Sequence, residues 1–176
     1  MQFQNPQLAS ETMPSIEHIS YEKLDPAYKK VNVYITLFFC LIILLVYLGV
    51  GFAVPELYQF PWILLFSVLW SVLTGLFCVL AIKSYDYEGY AIREKDILYK
   101  SGIFFRSVLV IPFNRVQHCE TEQGPIERWF GLTQLSLFTA GGSGSDLSIP
   151  GLTQEKANAL KNFITQKVAK SDDEEE

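Results

Sequence analysis

Between Lys30 and Lys83 the only formally charged residue is Glu56. Two apolar runs therefore face each other across a short loop, residues 31–54 and 62–82, with 55–61 between them. Each run reaches the roughly 20 residues that a helix needs to cross a hydrocarbon core about 30 Å thick. Two such uncharged stretches would be unusual as core helices of a water-soluble protein, so the pattern predicts a transmembrane helical hairpin joined by an external loop.

Basic residues near the ends of the runs set the expected orientation. Lys29 and Lys30 precede the first span, Lys83 closes the second, Arg93 and Lys95 follow, and the loop 55–61 has no Lys or Arg. The positive-inside rule then places both termini, and everything after Lys83, on the cytoplasmic side. Tyr28, Tyr34, Tyr58, Trp62, Tyr85 and Tyr87 fall near the span ends, where interfacial aromatic belts form. The first 24 residues have neither a basic n-region nor an apolar h-region, so no signal peptide is expected there. Gly51-Phe52-Ala53 resembles a small-x-small cleavage site, but the run before it is longer than a signal h-region, and an intact span is expected.

The remaining length accommodates one compact domain of about 85–90 residues, within the usual domain range. The net charge of −5 comes from the acidic run Asp172–Glu176; the rest of the chain is electroneutral. No basic stripe of the kind that neutralises nucleic-acid phosphates is present, which excludes a nucleic-acid partner. Cys40 and Cys78 lie in the apolar runs and Cys119 stands apart, so the cysteines form no disulfide framework and suit a reducing compartment.

After Ser84 the pattern becomes alternating. Tyr90 and Ile92 share parity, Arg93-Glu94-Lys95-Asp96 reads as a polar turn, and Ile97-Leu98-Tyr99-Lys100 resumes an extended run, which is a hairpin signal. Parity switches from Tyr85/Tyr87 to Tyr90/Ile92 at Gly89, suggesting a bulge or bend within the first strand. Following Ser101-Gly102, a strand from Ile103 to Ile111 is apolar on both faces and ends at Pro112. A further strand is expected over 115–121, with Val116, His118 and Glu120 on one side and Arg115, Gln117 and Cys119 on the other. Pro125 fits the first turn of a short helix over 126–130, which Gly131 ends in the left-handed conformation. Leu135 and Leu137 mark another strand, 141–145 reads as a flexible Gly/Ser loop, and Leu147 and Ile149 make a last short strand before Pro150-Gly151. Thr153 can cap a final helix on which Ala157, Leu160, Ile164 and Val168 share one face. The acidic tail 170–176 has nothing to bury and is expected to be disordered. Before the first span, Ile16, Ile19 and Leu24 suit either a brief interfacial helix or an extended strand against the domain.

The expected fold is thus an α+β membrane protein: an N-terminal segment 1–30, spans 31–54 and 62–82, and a domain over 84–169. That domain is a small antiparallel barrel or bent sheet of about six strands with a C-terminal helix closing one end.

The motifs Tyr90-Ala91-Ile92-Arg93, Leu98-Tyr99-Lys100-Ser101-Gly102-Ile103 and Ile111-Pro112-Phe113-Asn114-Arg115-Val116-Gln117 resemble the bacterial pleckstrin-homology-like domains of the membrane-anchored YdbS type. The likeness continues through Glu127-Arg128-Trp129-Phe130-Gly131-Leu132, Leu137-Phe138-Thr139-Ala140-Gly141 and Ile149-Pro150-Gly151-Leu152, and the two preceding spans match that family's layout. The resemblance implies a strongly bent antiparallel sheet with a capping helix at the bacterial inner membrane. It also implies a family with no established enzymatic activity or cofactor, and a larger multi-domain paralogue as a partner. Phosphoinositide-binding relatives crowd Lys and Arg into the first inter-strand loop; here Arg93 and Lys95 are cancelled by Glu94 and Asp96.

Chemistry-bearing residues are few. His118 and Cys119 are neighbours on a strand and point to opposite faces, so they do not converge on a metal or substrate. The 141–145 loop lacks the Lys-Ser/Thr ending of a phosphate loop and the second glycine of a nucleophile elbow. No catalytic, cofactor or metal site is expected. Lys95, Lys100 and Arg106 are candidate lipid-phosphate contacts if they gather beside the membrane, where each is worth about 1 kcal/mol on an anionic leaflet. Arg115, Gln117, Arg128 and Trp129 are candidate partner contacts. Against that, acidic neighbours Glu120, Glu122 and Glu127 offer Arg115 internal ion pairs, and Trp129 is expected to plug the barrel. The functional expectation is a non-enzymatic interaction module that docks another membrane protein or its own copies. An anionic-lipid sensor or lipid-handling domain is the alternative.

Overall fold

The computed structural model describes residues 19–140 and 145–173. The two apolar runs form helices α1 (Tyr28–Ala53) and α2 (Trp62–Tyr87), each of 26 residues. At 1.5 Å per residue each is about 39 Å long, enough to pass the hydrocarbon and reach the head groups on both sides. Only 6% of the most apolar stretch of α1 and 0% of that of α2 is buried within the protein, the reverse of a soluble core helix. So much exposed apolar surface requires a bilayer, and the chain is a membrane protein with two spans. The Tyr47 ring stacks on Phe66 at 3.5 Å, and the Trp70 indole N–H donates to the Cys40 carbonyl at 3.3 Å, which holds the hairpin together. A 3₁₀ turn, Pro55–Tyr58, connects the spans, and the absence of a side chain at Gly51 leaves room for the Tyr58 ring.

Six strands follow. β1 (Gly89–Ile92), β2 (Asp96–Ser101) and β3 (Ser107–Pro112) form one antiparallel sheet in that order, and β4 (Val116–Glu122), β5 (Leu132–Thr139) and β6 (Leu147–Thr153) form a second. Among the described residues no ladder joins the two sheets, so the arrangement is a bent pair of sheets and not a closed barrel. Helix α3 (Pro125–Trp129) interrupts β4 and β5, and α4 (Gln154–Asp173) closes the chain. Ile97, Ile111, Leu135, Leu137, Leu147, Ile149 and Leu152 are buried between the sheets. Ala157, Leu160 and Ile164 bring the apolar face of α4 onto that core, and Phe113 meets Phe163 edge to face at 6.0 Å. Thr153 caps α4 by accepting from the Lys156 amide at 3.3 Å.

Several local expectations change. Tyr85 and Tyr87 belong to α2, and Gly89 opens β1 instead of bulging within it. The reason is tertiary: continuing the helix turns Tyr85 into the domain core, where its hydroxyl donates to the Leu24 carbonyl at 2.8 Å. β3 begins at Ser107, because Gly102 adopts φ 101° and turns Ile103–Arg106 into a loop. β6 runs through Pro150-Gly151 to Thr153, and the register jumps from Thr133↔Leu152 to Leu135↔Ile149, so Gly151 takes φ 64° at a bulge. A second irregularity between Val116 and His118 breaks the simple alternation of β4. α4 continues to Asp173, into the stretch expected to be disordered. The Gly/Ser loop at 141–144, Ile16 and the last acids at 174–176 lie outside the described residues.

Between the two open possibilities for the N-terminal flank, the extended one holds. Glu22 bridges Tyr90 through a reciprocal pair of backbone hydrogen bonds of 2.7 and 3.0 Å, extending the first sheet beyond β1. Leu24 enters the core, the Asp25 amide donates to the Gly151 carbonyl at 2.8 Å, and the Asp25 carboxylate accepts from the Ala27 amide at 2.8 Å as α1 begins.

Gly151 therefore carries two constraints, whereas Gly131 carries one. A Cβ at Gly151 would sit 2.6 Å from the Tyr28 ring, while one at Gly131, with φ 67°, would meet nothing within 4 Å. Gly131→Ala should lower stability by about 1–2 kcal/mol for the left-handed backbone alone. Gly151→Ala adds overpacking of about 1–3 kcal/mol and should lower the melting temperature of the detergent-solubilised protein distinctly further.

Candidate functional site

The domain has a membrane-proximal end and a far end. β1 leaves α2 directly, so the Gly89↔Lys100 pair marks the proximal end of the first sheet and the turn after Ile92 the distal one, roughly 10 Å away at 3.3 Å per residue. Lys95 occupies that distal turn, where its carbonyl accepts from the Phe113 amide at 3.0 Å. Lys100 and Arg106 lie proximally, and each sits on an aromatic ring: the Lys100 ammonium is 5.5 Å from Tyr21 and the Arg106 guanidinium 5.6 Å from Tyr87. The three cations expected to gather are thus split between opposite ends of the hairpin. Arg93 in the same turn is neutralised by a bidentate pair with Asp96.

At the far end, Asn114, Arg115, Gln117 and Thr139 line a polar groove of about 650 Å³ beside the last described turns of α4. Among the described residues Arg115 has no ion pair, contrary to the expected partnership with Glu120, Glu122 or Glu127. Glu127 is engaged elsewhere, accepting from the Gly124 amide at 2.7 Å to cap α3. Arg115 and Gln117 are both exposed and do share one groove.

Trp129 does not plug the fold: it is 83% exposed, and Leu132, Leu135 and Leu137 fill the interior instead. Its neighbour Phe130 stacks on Tyr34 of α1 at 5.6 Å, which holds α3 against the first span with Arg128 exposed beside it. The two candidate partner pairs, Arg115/Gln117 and Arg128/Trp129, are therefore separate, the latter beside the membrane helix and the former at the far end.

His118 and Cys119 diverge as expected. His118 stacks on Phe138 at 4.3 Å on the outer face, whereas the Cys119 thiol lies 3.6 Å from the Thr165 hydroxyl of α4. Among the described residues no group of three or more His, Cys, Asp or Glu is placed to hold a metal.

Three features were not singled out from the sequence. The outer edge of β3 pairs with no strand among the described residues, and Val108, Leu109 and Val110 along it are 36–42% exposed. The Gly102–Arg106 loop exposes two phenylalanines; its Phe-Phe pair between a glycine and an arginine was the available signal. Glu88, at the α2–β1 corner, accepts from the Tyr99 hydroxyl at 3.0 Å and is held above the ordinary glutamate range by burial. Burial and the Glu88 charge in turn raise the Tyr99 hydroxyl.

Because the folded-state pKa of Glu88 is raised, the folded protein binds more protons than the unfolded one between the ordinary value of 4.5 and the raised value. Stability contributed by this site is present below pH 4.5 and lost as pH rises through the folded pKa. Glu88→Gln keeps an acceptor for Tyr99 and should flatten that part of the pH–melting profile, raising the melting temperature at neutral pH. Trp129→Ala should change stability by no more than about 0.5 kcal/mol, as for other surface positions, where removal of a plugging aromatic would lower it by about 3–5 kcal/mol. Thermal melts of the two variants distinguish these outcomes.

The family model of the bacterial PH domain matches residues 31–168, which take in most of both spans, all six strands and most of α4. Over 85 residues the chain is 34% identical to the UPF0699 transmembrane protein YdbS of Bacillus subtilis (strain 168), an alignment that covers 48% of this chain and 52% of that protein. It thus spans about half the length of this curated relative. No solved structure matches the chain. With a match over most of its length and the sheet-and-helix domain described above, this chain belongs to the bacterial PH domain family, in a form with two transmembrane helices ahead of the domain.

Proposed function

We propose that this protein is a non-enzymatic interaction module anchored in the bacterial inner membrane, which docks a second membrane protein through the free edge of β3. The observation that carries the reading is that edge: β3 ends the first sheet, no strand among the described residues pairs with its outer side, and Val108, Leu109 and Val110 expose apolar surface along it. Natural sheets usually shield such edges with charge, proline or a bulge, and an unshielded one is a template for another strand. Ser107–Ile111 has no charged residue, and the one proline of β3, Pro112, is its last residue, which leaves the rest of the edge unshielded. The strand follows the loop whose Ile103 lines the groove between the spans, so a partner held in the same bilayer meets it at a millimolar-scale effective concentration and needs little intrinsic affinity.

A larger paralogue carrying domains of this family would supply a matching strand, and so would a second copy of this chain. The cytoplasmic orientation belongs to the same proposal: Lys29, Lys30 and Lys83 flank the spans on the domain side, and the opposite loop has no Lys or Arg. Recognition of lipid phosphate by Lys95, Lys100 and Arg106 together is less favoured, since Lys95 is at the far end of the hairpin from the other two.

A photoreactive amino acid at Leu109 in the full chain, activated in native membranes, should give a discrete adduct. Val110→Lys should abolish it while shifting stability by no more than about 1 kcal/mol. An adduct of twice the chain's mass identifies self-association and a different mass a distinct partner. Absence of any discrete adduct at Leu109, with the protein folded and in the membrane, overturns docking through this edge.

A further inference from the structure

We infer that the loop Ile103–Phe105 is a third membrane element, inserted into the hydrocarbon on the domain side of the bilayer and fixing the domain flat against it. The argument rests on depth. Ile103 shares a groove of about 470 Å³ with Thr36 and Cys40 of α1 and with Leu80, Ala81 and Ser84 of α2. Leu80 and Ala81 precede Lys83, inside the uncharged run, so the start of the loop at Ile103 faces the last apolar turns of the spans. Arg106, one residue beyond the phenylalanines, lies over the ring of Tyr87 at the end of α2. From Ala81 to Tyr87 a helix rises about 9 Å, so the loop, with Ile103 in the groove and Arg106 over Tyr87, lies alongside the last two turns of α2. Interfacial elements sink their apolar faces by roughly 5–10 Å, about the length of those two turns.

The side chains fit that placement. Phe104 is 77% and Phe105 92% exposed, which leaves both rings in contact with whatever surrounds the spans at this level. That surrounding is lipid, because the loop begins in a groove between helices whose apolar surface already requires it. Lys100 and Arg106 bracket the loop at the level of the head groups, as aromatic and basic residues do at membrane interfaces. The turn is also fixed by its backbone: Gly102 has φ 101°, and a Cβ there would overlap the Phe105 carbonyl oxygen. The loop thus has a fixed course with both rings exposed on it. Insertion is a hydrophobic contact with acyl chains and involves no headgroup recognition, so it stands independently of partner docking at β3.

The full-length protein, with its own cysteines, can be reconstituted in bilayers containing a phospholipid that carries a diazirine in its acyl chain. Photolysis and mass spectrometry should find adducts on the peptide holding Phe104 and Phe105, as well as on both spans. Adducts confined to the spans overturn the inference. Independently, nitroxides on Phe105→Cys, Lys95→Cys and Leu69→Cys in a background lacking Cys40, Cys78 and Cys119 report collision with oxygen against a water-soluble nickel chelate. Position 105 should resemble the mid-span position 69 and exceed position 95 several-fold in oxygen-to-nickel ratio. A ratio like that of position 95, low collision with both reagents, or spin–spin broadening that vanishes on dilution with unlabelled chain would each overturn it, the last two by showing protein in place of lipid.

Discussion

The architecture depends on the contact that joins the membrane hairpin to the domain. Leu24 before α1 and Tyr85 at the end of α2 are both buried in the domain core, and the Tyr85 hydroxyl donates to the Leu24 carbonyl. Gly151 of β6 closes the same junction, with its carbonyl bonded to Asp25 and its bare α-carbon against Tyr28. Buried polar groups of this kind are strongly destabilising when one partner is lost. Neither the spans nor the sheets are finished without the other: the domain core takes a tyrosine from α2, and the entry to α1 takes its geometry from β6.

A rigid junction has consequences for what the domain can touch. A PH-like domain on a flexible tether would sample the membrane surface in many poses. Here α3 is stacked on α1 through Phe130 and Tyr34, and Ile103 lines the groove between the spans, so the domain is held in one pose against the hairpin. What remains for a partner is the free edge of β3, the exposed Trp129 beside α1, and the far groove at Arg115 and Gln117. The first two lie close to the membrane, which suits a partner that is itself a membrane protein. Cations contribute less than their number suggests, because Arg93 is paired to Asp96, Lys29 to Asp86 and Lys156 to Glu22, and Lys100 and Arg106 rest on tyrosine rings.

Much of this was legible in the residues. Charge-free runs of sufficient length specify spanning helices by solvation alone, since a backbone in hydrocarbon must satisfy its own hydrogen bonds. The order of strands, the Pro125–Gly131 helical turn and the apolar face of α4 followed from period and punctuation, because side-chain alternation and glycine or proline geometry are local properties. The family resemblance followed from motifs spread across the same elements.

What the sequence did not decide depends on contacts between distant segments. Tyr85 and Tyr87 alternate like strand residues, yet Tyr85 is helical because Leu24, more than 60 residues away, accepts its hydroxyl. Trp129 looks like a core aromatic by type, and only the packing of Phe130 on Tyr34 leaves it outside. Arg115 has acids nearby in sequence and no ion pair among the described residues, because it ends a 3₁₀ turn, Phe113–Arg115, ahead of β4 instead of standing on that strand beside Glu120 and Glu122, and Glu127 is occupied by capping Gly124. Lys95 and Lys100 are close in the chain but stand at opposite ends of a hairpin, since strand pairing converts a short separation along the sequence into distance across the domain. The sequence by itself thus determined which segments enter the membrane and which form sheets and helices, as both follow from local solvation and backbone preference. Only the tertiary structure decided which side chains meet the bilayer, the core or open space, because that is set by register and packing between segments far apart in the chain.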